Sequence, residues 1–176
     1  MATAKAKPAT GKLGIMVVGL GAVSTTFITG VMMTRKGLAK PVGSMTQYDK
    51  IRVGRGADKK YLKYNEIVSM PSLNDIVFAA WDVYPANAYE SAINAAVLKE
   101  KDIEPVKDEL LAIKPIKAAF DHNYAKRLDG DNVKDCKDRW DMAEQIRADI
   151  RNFKAETGVD RVVVLWAAST EIFVAP

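Results

Sequence analysis

The chain has 176 residues, of which 48% are hydrophobic and 27% charged, as in a globular protein with one domain or a little more. The formal net charge is +4, and because the Lys and Arg residues are scattered along the sequence among 22 acidic residues, we expect no nucleic-acid partner. The single cysteine, Cys136, excludes an intramolecular disulfide and favours a reducing compartment.

The amino-terminal stretch MATAKAKPAT is small, polar and basic, and it lacks the apolar core of a signal peptide. We therefore predict that residues 1–11 form a disordered tail. Apolar runs elsewhere are too short to span a bilayer, so we expect a cytoplasmic protein with no membrane partner.

The first structured segment reads as a strand, a tight turn and a helix. Residues 13–18 (LGIMVV) are typical of a buried strand in a parallel sheet. Gly19-Leu20-Gly21 then predicts a tight turn, and residues 24–36 predict a helix with Gly37 near its end. Residues 39–73, rich in glycine, proline and mixed charge, predict a loop-rich insertion with short strands.

Further strands and helices alternate in the second half. Residues 75–82 predict a buried strand, residues 88–98 a helix, and residues 106–113 a helix stopped by Pro115, whereas residues 116–132 read as strand or loop. Residues 134–157 predict a helix that ends at Gly158. Its apolar stripe contains Trp140, Ala143, Ile146, Ile150 and Phe153. Residues 161–166 (RVVVLW) predict a third buried strand, in which Trp166, like Trp81 in the second, is expected to be a packing residue.

This alternation predicts an α/β fold with a doubly wound, Rossmann-like parallel sheet. We expect one Rossmann-like domain over residues 12–176. The sheet should stop unfinished after the third strand, as in a truncated domain.

Three segments that follow the predicted strands are candidate sites, because ligands of open α/β sheets bind outside the carboxyl ends of the strands. Gly19-Leu20-Gly21-Ala22-Val23-Ser24 has the context of a dinucleotide loop, with Ser24, Thr25 and Thr26 as possible hydroxyl donors to phosphate. The alternative is a simple tight turn.

Asp82 follows the second strand and suits a ribose contact, or alternatively caps the next helix. Ala167–Glu171 follows the third, where small residues leave room for a flat ring, although a Ser/Thr turn is an equally ordinary interpretation. His122 and Cys136 have no partners for catalysis, and no Cys/His cluster predicts a metal site.

Four motifs together identify a family resemblance: GLGAVSTT from Gly19, GSMTQ from Gly43, WDV from Trp81 and VLWAASTE from Val164. In this order they resemble the myo-inositol-1-phosphate synthase family, also called inositol-3-phosphate synthase, in its bacterial form. The resemblance implies an isomerase (an intramolecular lyase) of inositol and phospholipid biosynthesis. Such an enzyme is a cytosolic homotetramer that uses bound NAD to convert glucose 6-phosphate to inositol phosphate.

Matched position by position, the resemblance assigns cofactor-binding roles to ten residues. These are Gly19, Gly21, Ala22, Val23, Ser24, Thr25, Asp82, Ala168, Ser169 and Thr170. The eukaryotic asparagine-rich glycine loop is absent, and Ser169 and Ile172 replace the family's Asn and Arg.

None of the lysines matches the family's catalytic lysines, so the resemblance assigns no catalytic residue. The chain is expected to be an inactive amino-terminal portion that carries the NAD site. The alternatives are a non-catalytic NAD-binding remnant or interaction module and a generic NAD-dependent dehydrogenase, which would need a hydride-transfer site that is not recognisable here.

Overall fold

The structure, a computed structural model, describes residues 11–123 and 128–168. The predicted tail, Gly11 apart, therefore lies outside the described residues, as do Ser169 and Thr170. In chain order the elements are β1 (Leu13–Val18), α1 (Ala22–Arg35), α2 (Met45–Tyr48), β2 (Lys50–Val53), β3 (Lys60–Lys63), α3 (Tyr64–Ile67), β4 (Ile76–Asp82), α4 (Ala88–Ala95), α5 (Glu100–Ile103), α6 (Lys107–Leu111), β5 (Ile116–Lys117), α7 (Arg139–Thr157) and β6 (Arg161–Trp166).

The main sheet has the strand order β5-β4-β1-β6, and each of its pairings is parallel. This confirms the predicted parallel α/β sheet, with β1 and β6 at the predicted bounds. The register places Val18 opposite both Trp81 and Trp166. The carboxyl ends of the three long strands therefore coincide, and the segments that follow them meet at one edge of the sheet.

Helices cover both faces of this sheet, as its doubly wound class requires. Side chains alternate along β1: Ile15 and Val17 pack in the cluster that contains Ile28 of α1, whereas Met16 packs with Phe153 of α7. Gly14 allows the second contact, since a Cβ there would lie 2.5 Å from Cε1 of Phe153.

The third strand, β6, is exposed rather than buried, so the prediction of a buried strand was wrong. Val163 is 50% exposed and Trp166 68%, so Trp166 is not a core packing residue. Trp81, at 3%, is. Within the described chain β6 is an edge strand that pairs with β1 alone. Apolar composition cannot distinguish an edge strand from a central one.

The predicted helices are present with shifted ends. Helix α1 begins two residues earlier than predicted, and α7 begins at Arg139 because Asp138 caps it by accepting a hydrogen bond of 2.8 Å from the N–H of Asp141. Helix α4 ends early, at Ala95, since Ala96 adopts a left-handed conformation with φ of 53°. On α7 the predicted apolar stripe begins only at Ile146, because Trp140 is 74% exposed and Ala143 is exposed as well.

Residues 39–73 contain α2, an antiparallel hairpin of β2 and β3, and α3, apart from the main sheet. Residues 50–63 of this hairpin carry six Lys and Arg against one acidic residue, Asp58. The basic residues are thus concentrated rather than scattered, contrary to the premise for expecting no nucleic-acid partner. That expectation stays a prediction.

Candidate functional site

Gly19 makes the turn that follows β1. Its φ is +90°, a conformation that favours glycine, and a Cβ at this position would lie 2.9 Å from Cα of Ala168. Its N–H donates a hydrogen bond of 2.9 Å to the carbonyl of Trp81 at the end of β4. Only glycine therefore lets the ends of β1, β4 and β6 approach one another here.

Gly21 is the residue before the first turn of α1. It has φ of −85°, and a Cβ built on it meets no atom within 4 Å, so the space beside it is open. The first turn of α1 has neither a side-chain cap nor an acidic residue. Backbone N–H groups in the first turn of a helix lack intrahelical acceptors and bind anions. This end of α1 is therefore suited to hold a phosphate group.

Ser24 and Thr25 face away from that open space. Both are buried, at 0% and 1% exposure. The hydroxyl of Ser24 donates to the carbonyl of Gly19 at 2.5 Å, and that of Thr25 donates to the carbonyl of Gly21 at 2.9 Å. The hydroxyls thus fix the shape of the glycine loop and are not placed as phosphate donors. Val23 is exposed and does not line the cleft, so these three residues can contribute at most backbone groups.

Asp82 holds two loops with its carboxylate. Oδ2 accepts a hydrogen bond of 2.5 Å from the N–H of Leu20, and Oδ1 accepts one of 2.9 Å from the N–H of Tyr84. The alternative role as a helix cap is wrong, because Asn87 caps α4 by accepting from the N–H groups of Tyr89 and Glu90.

A cleft of about 800 Å³ opens at this edge of the sheet. Five of the predicted residues line it: Gly19, Gly21, Ala22, Asp82 and Ala168. Other residues that line the cleft were not predicted as site residues, among them Phe120, Leu128, Arg139, Met142 and Trp166. Phe120 and Leu128 follow β5, which is only two residues long and gives no recognisable pattern. Had β5 been recognised, the rule that ligands bind at the carboxyl ends of strands would have pointed to them.

Beneath the cleft, the side chain of Trp81 is held from the α7 side. Its indole N–H donates a hydrogen bond of 2.7 Å to Asp149, which also forms an ion pair of 2.9 Å with Lys134. The two charged side chains are only 14% and 11% exposed. Trp81 lines the cleft, so this network fixes one of its walls.

Neither metal ligands nor membrane-spanning helices are found among the described residues. No group of three or more His, Cys, Asp or Glu side chains there is placed to hold a metal ion. In the same ranges no helix combines the length and the apolar character needed to cross a bilayer. His122 packs edge-to-face against Phe120, with the ring centres 5.0 Å apart.

A sequence model of an NAD-binding domain, described as myo-inositol-1-phosphate synthase, matches residues 13–176. The chain belongs to this family. The match covers nearly the whole sequence and confirms both the resemblance seen in the four motifs and NAD as the cofactor.

Individual relatives agree with this assignment. The chain is 58% identical to inositol-3-phosphate synthase 1 of Bacteroides thetaiotaomicron, over 96% of this chain and 39% of that protein. It is 30% identical to inositol-3-phosphate synthase of Saccharomyces cerevisiae, over 93% of this chain and 35% of that one. The crystal structure of inositol-3-phosphate synthase from Caenorhabditis elegans superposes with a TM-score of 0.79 at 27% identity, over 92% of this chain and 35% of that one. The chain therefore spans between a third and two fifths of the length of these relatives.

Proposed function

We propose that this chain forms the NAD site of an inositol-3-phosphate synthase, an isomerase whose substrate is glucose 6-phosphate. The observation that carries the proposal is the open cleft at the carboxyl edge of the sheet, where the glycine loop leads into the uncapped first turn of α1. In α/β proteins of this class, a dinucleotide lies across that edge with its pyrophosphate on the helix terminus. One domain from residue 12 onward, a cytoplasmic location and a homotetramer are parts of the same proposal.

Each part of the cleft has a role in this proposal. The backbone N–H groups of Gly21, Ala22 and the residues after them hold the pyrophosphate. Asp82 retains lone pairs on both carboxylate oxygens and accepts hydrogen bonds from the adenosine ribose. On the β6 side, Ala168 leaves room for the nicotinamide ring, and the cofactor-binding roles that the family resemblance assigns to Ser169 and Thr170 stay predictions. Bound NAD would supply the hydride acceptor and donor for the sugar.

Titration of NAD into the full 176-residue chain, followed by tryptophan fluorescence and calorimetry, tests the proposal. Trp81 and Trp166 line the cleft, so their emission should change on binding. Saturable binding with one site per chain supports the proposed site. Absence of binding at millimolar NAD would refute it.

The second candidate is a non-catalytic NAD-binding module. It is favoured by one observation, that none of the residues around the cleft matches a catalytic lysine of the family. Both candidates predict NAD binding, and inositol phosphate formed by the chain in an activity assay would exclude the second.

A further inference from the structure

Asn132 lies between the ends of β4 and β5 and forms hydrogen bonds with both. Its side-chain Nδ2 donates to the carbonyl of Asp82 at 2.8 Å and to that of Ile116 at 3.3 Å. Its backbone N–H donates to the carbonyl of Val83 at 2.9 Å, and its carbonyl accepts from the N–H of Ala118 at 2.9 Å. One residue thus joins the segments that leave two neighbouring strands.

The polypeptide around Asn132 is held closely against the same turn. A Cβ at Gly130 would lie 2.3 Å from the carbonyl oxygen of Val83, so a side chain there would displace the backbone. Val133 forms a parallel bridge with Ala118, and the N–H of Lys134 donates to the carbonyl of Ala118 at 2.9 Å. Residues 130–134 are therefore packed between the ends of β4 and β5 and set the distance between them.

An amide side chain is required at position 132 by the groups around it. Its NH₂ group supplies two donors, and the two acceptors that it meets are carbonyl oxygens. A carboxylate of the same size has no donor to offer, and its charge would be repelled by both carbonyls. Asn132→Asp is thus a change of chemistry without a change of shape.

The bonds of Asn132 continue to the glycine loop through Asp82. Asn132 fixes the main chain of Asp82, and the carboxylate of Asp82 binds the N–H of Leu20 in the loop. Ala118 also begins the cleft wall that runs on to Asp121. All of these groups lie on the β4 and β5 side of the glycine loop, away from Ala168. The adenosine half of a dinucleotide binds on this β4 and β5 side.

We infer that Asn132, which does not line the cleft itself, is a positioning residue for the adenosine half of the NAD site. The inference rests on the proposed function, since it takes the cleft to be the NAD site. It assigns to Asn132 a role through the placement of Asp82 and of the wall after β5, without contact to the cofactor.

The test compares Asn132→Asp and Asn132→Ala with Asn152→Asp, a change at an exposed position of α7, in the full chain. Dissociation constants are measured for NAD, AMP and nicotinamide mononucleotide. We expect Asn132→Asp to weaken the binding of NAD and of AMP by at least tenfold, and Asn132→Ala to weaken it less. Neither variant should change the affinity for nicotinamide mononucleotide. Asn152→Asp should bind all three as the parent does. An equal loss for both mononucleotides would overturn the inference, because general destabilisation would then explain it.

Amide hydrogen exchange without any nucleotide separates this inference from the proposed function. Asn132→Asp should accelerate exchange at Ala118, Asn132 and Leu20 by at least tenfold, while the amides at the centre of β1 keep the parent's rate. Local acceleration in a chain that binds no NAD would show that Asn132 still holds Asp82 and the glycine loop in place, and it would refute the proposed function, so that the held site would then serve another ligand. Unchanged exchange at those three amides would overturn the positioning role whatever the chain binds.

Discussion

The carboxylate of Asp82 accepts a hydrogen bond of 2.5 Å from the backbone N–H of Leu20, a residue 62 positions earlier in the chain. The bond joins the end of β4 to the glycine loop after β1. An acidic residue that follows the strand beside the glycine loop is normally assigned a ribose contact alone. Here the same side chain also fixes the loop that would hold the pyrophosphate, so its loss should affect both halves of the site.

Asp82→Ala should therefore lower stability as well as NAD affinity. It leaves the N–H groups of Leu20 and Tyr84 without acceptors, at a cost of about 1–3 kcal/mol for each group that stays buried. Asp82→Asn keeps one acceptor oxygen, so its loss of unfolding free energy should be about half that of Asp82→Ala. Urea unfolding and NAD titration measure the two effects. Asp58→Ala, at an exposed turn of the hairpin, is the control, and a loss in Asp82→Ala no greater than in this control would contradict the prediction.

The two glycines of the loop should respond differently to substitution. Gly21→Val should abolish NAD binding with the fold retained, because the added side chain enters only open space on the cleft side. Gly19→Ala should instead destabilise the fold by roughly 1–3 kcal/mol, since its φ of +90° and the nearby Ala168 both oppose a Cβ. Thermal melts by circular dichroism and fluorescence titration separate the outcomes. If Gly21→Val binds NAD as the parent does, the loop is only a turn.

Asp149→Ala should be strongly destabilising. It leaves Lys134 nearly buried without its partner and removes the acceptor of the Trp81 indole, which together should cost about 3 kcal/mol. Glu144→Ala is the matched control, because its partner Arg147 is 61% exposed and surface pairs contribute less than about 1 kcal/mol. Equal unfolding free energies for the two variants would show that the network beneath the cleft is not structural.

Cys136 should react slowly with iodoacetamide. Burial raises the pKa of its thiol, and the carboxylates of Asp141 and Asp135 raise that pKa further against the opposing effect of the Lys134 ammonium group. A raised pKa means less thiolate at any pH below it, so alkylation at pH 8 should be slower than in the urea-unfolded chain. The pH of half-maximal rate should also be higher in the folded chain. Equal rates in the two states would show that the thiol is freely exposed.

The purified 176-residue chain should form no inositol phosphate from glucose 6-phosphate and NAD. The family resemblance finds no match here for the lysines that polarise the carbonyls, and each such electrostatic group is typically worth several kcal/mol of barrier. The assay is detection of inositol phosphate after long incubation, with a complete family member as the positive control. Product formed by this chain would refute the non-catalytic candidate.

Strands β1 and β6 could be predicted at their observed bounds because each is a continuous apolar run that a change in composition ends. Strand β5 could not, since two residues carry no periodicity. The exposure of Trp166 was also beyond prediction, because burial depends on what lies beside the strand and not on its own composition.

The candidate site, too, could be predicted only in part from the sequence. Residues that follow the strands, such as Gly19 and Asp82, were predicted because the carboxyl edge of a parallel sheet is a general binding position. The hydroxyls of Ser24 and Thr25 were misjudged, because their direction depends on how the loop turns. No pattern in the sequence pointed to Asn132, since the partners of its side chain are backbone carbonyl groups, which every residue possesses.

The exposed strand β6 has a consequence for the handling of this chain. Along the edge of β6 that pairs with no other strand of the described residues, backbone N–H and C=O groups lie beside the exposed side chains of Val163, Leu165 and Trp166. Such an edge is a template for intermolecular strand pairing. We expect concentrated solutions to scatter light and to bind thioflavin dyes unless Val163 or Leu165 is replaced by lysine, which would make β6 the segment that sets the solubility of the protein.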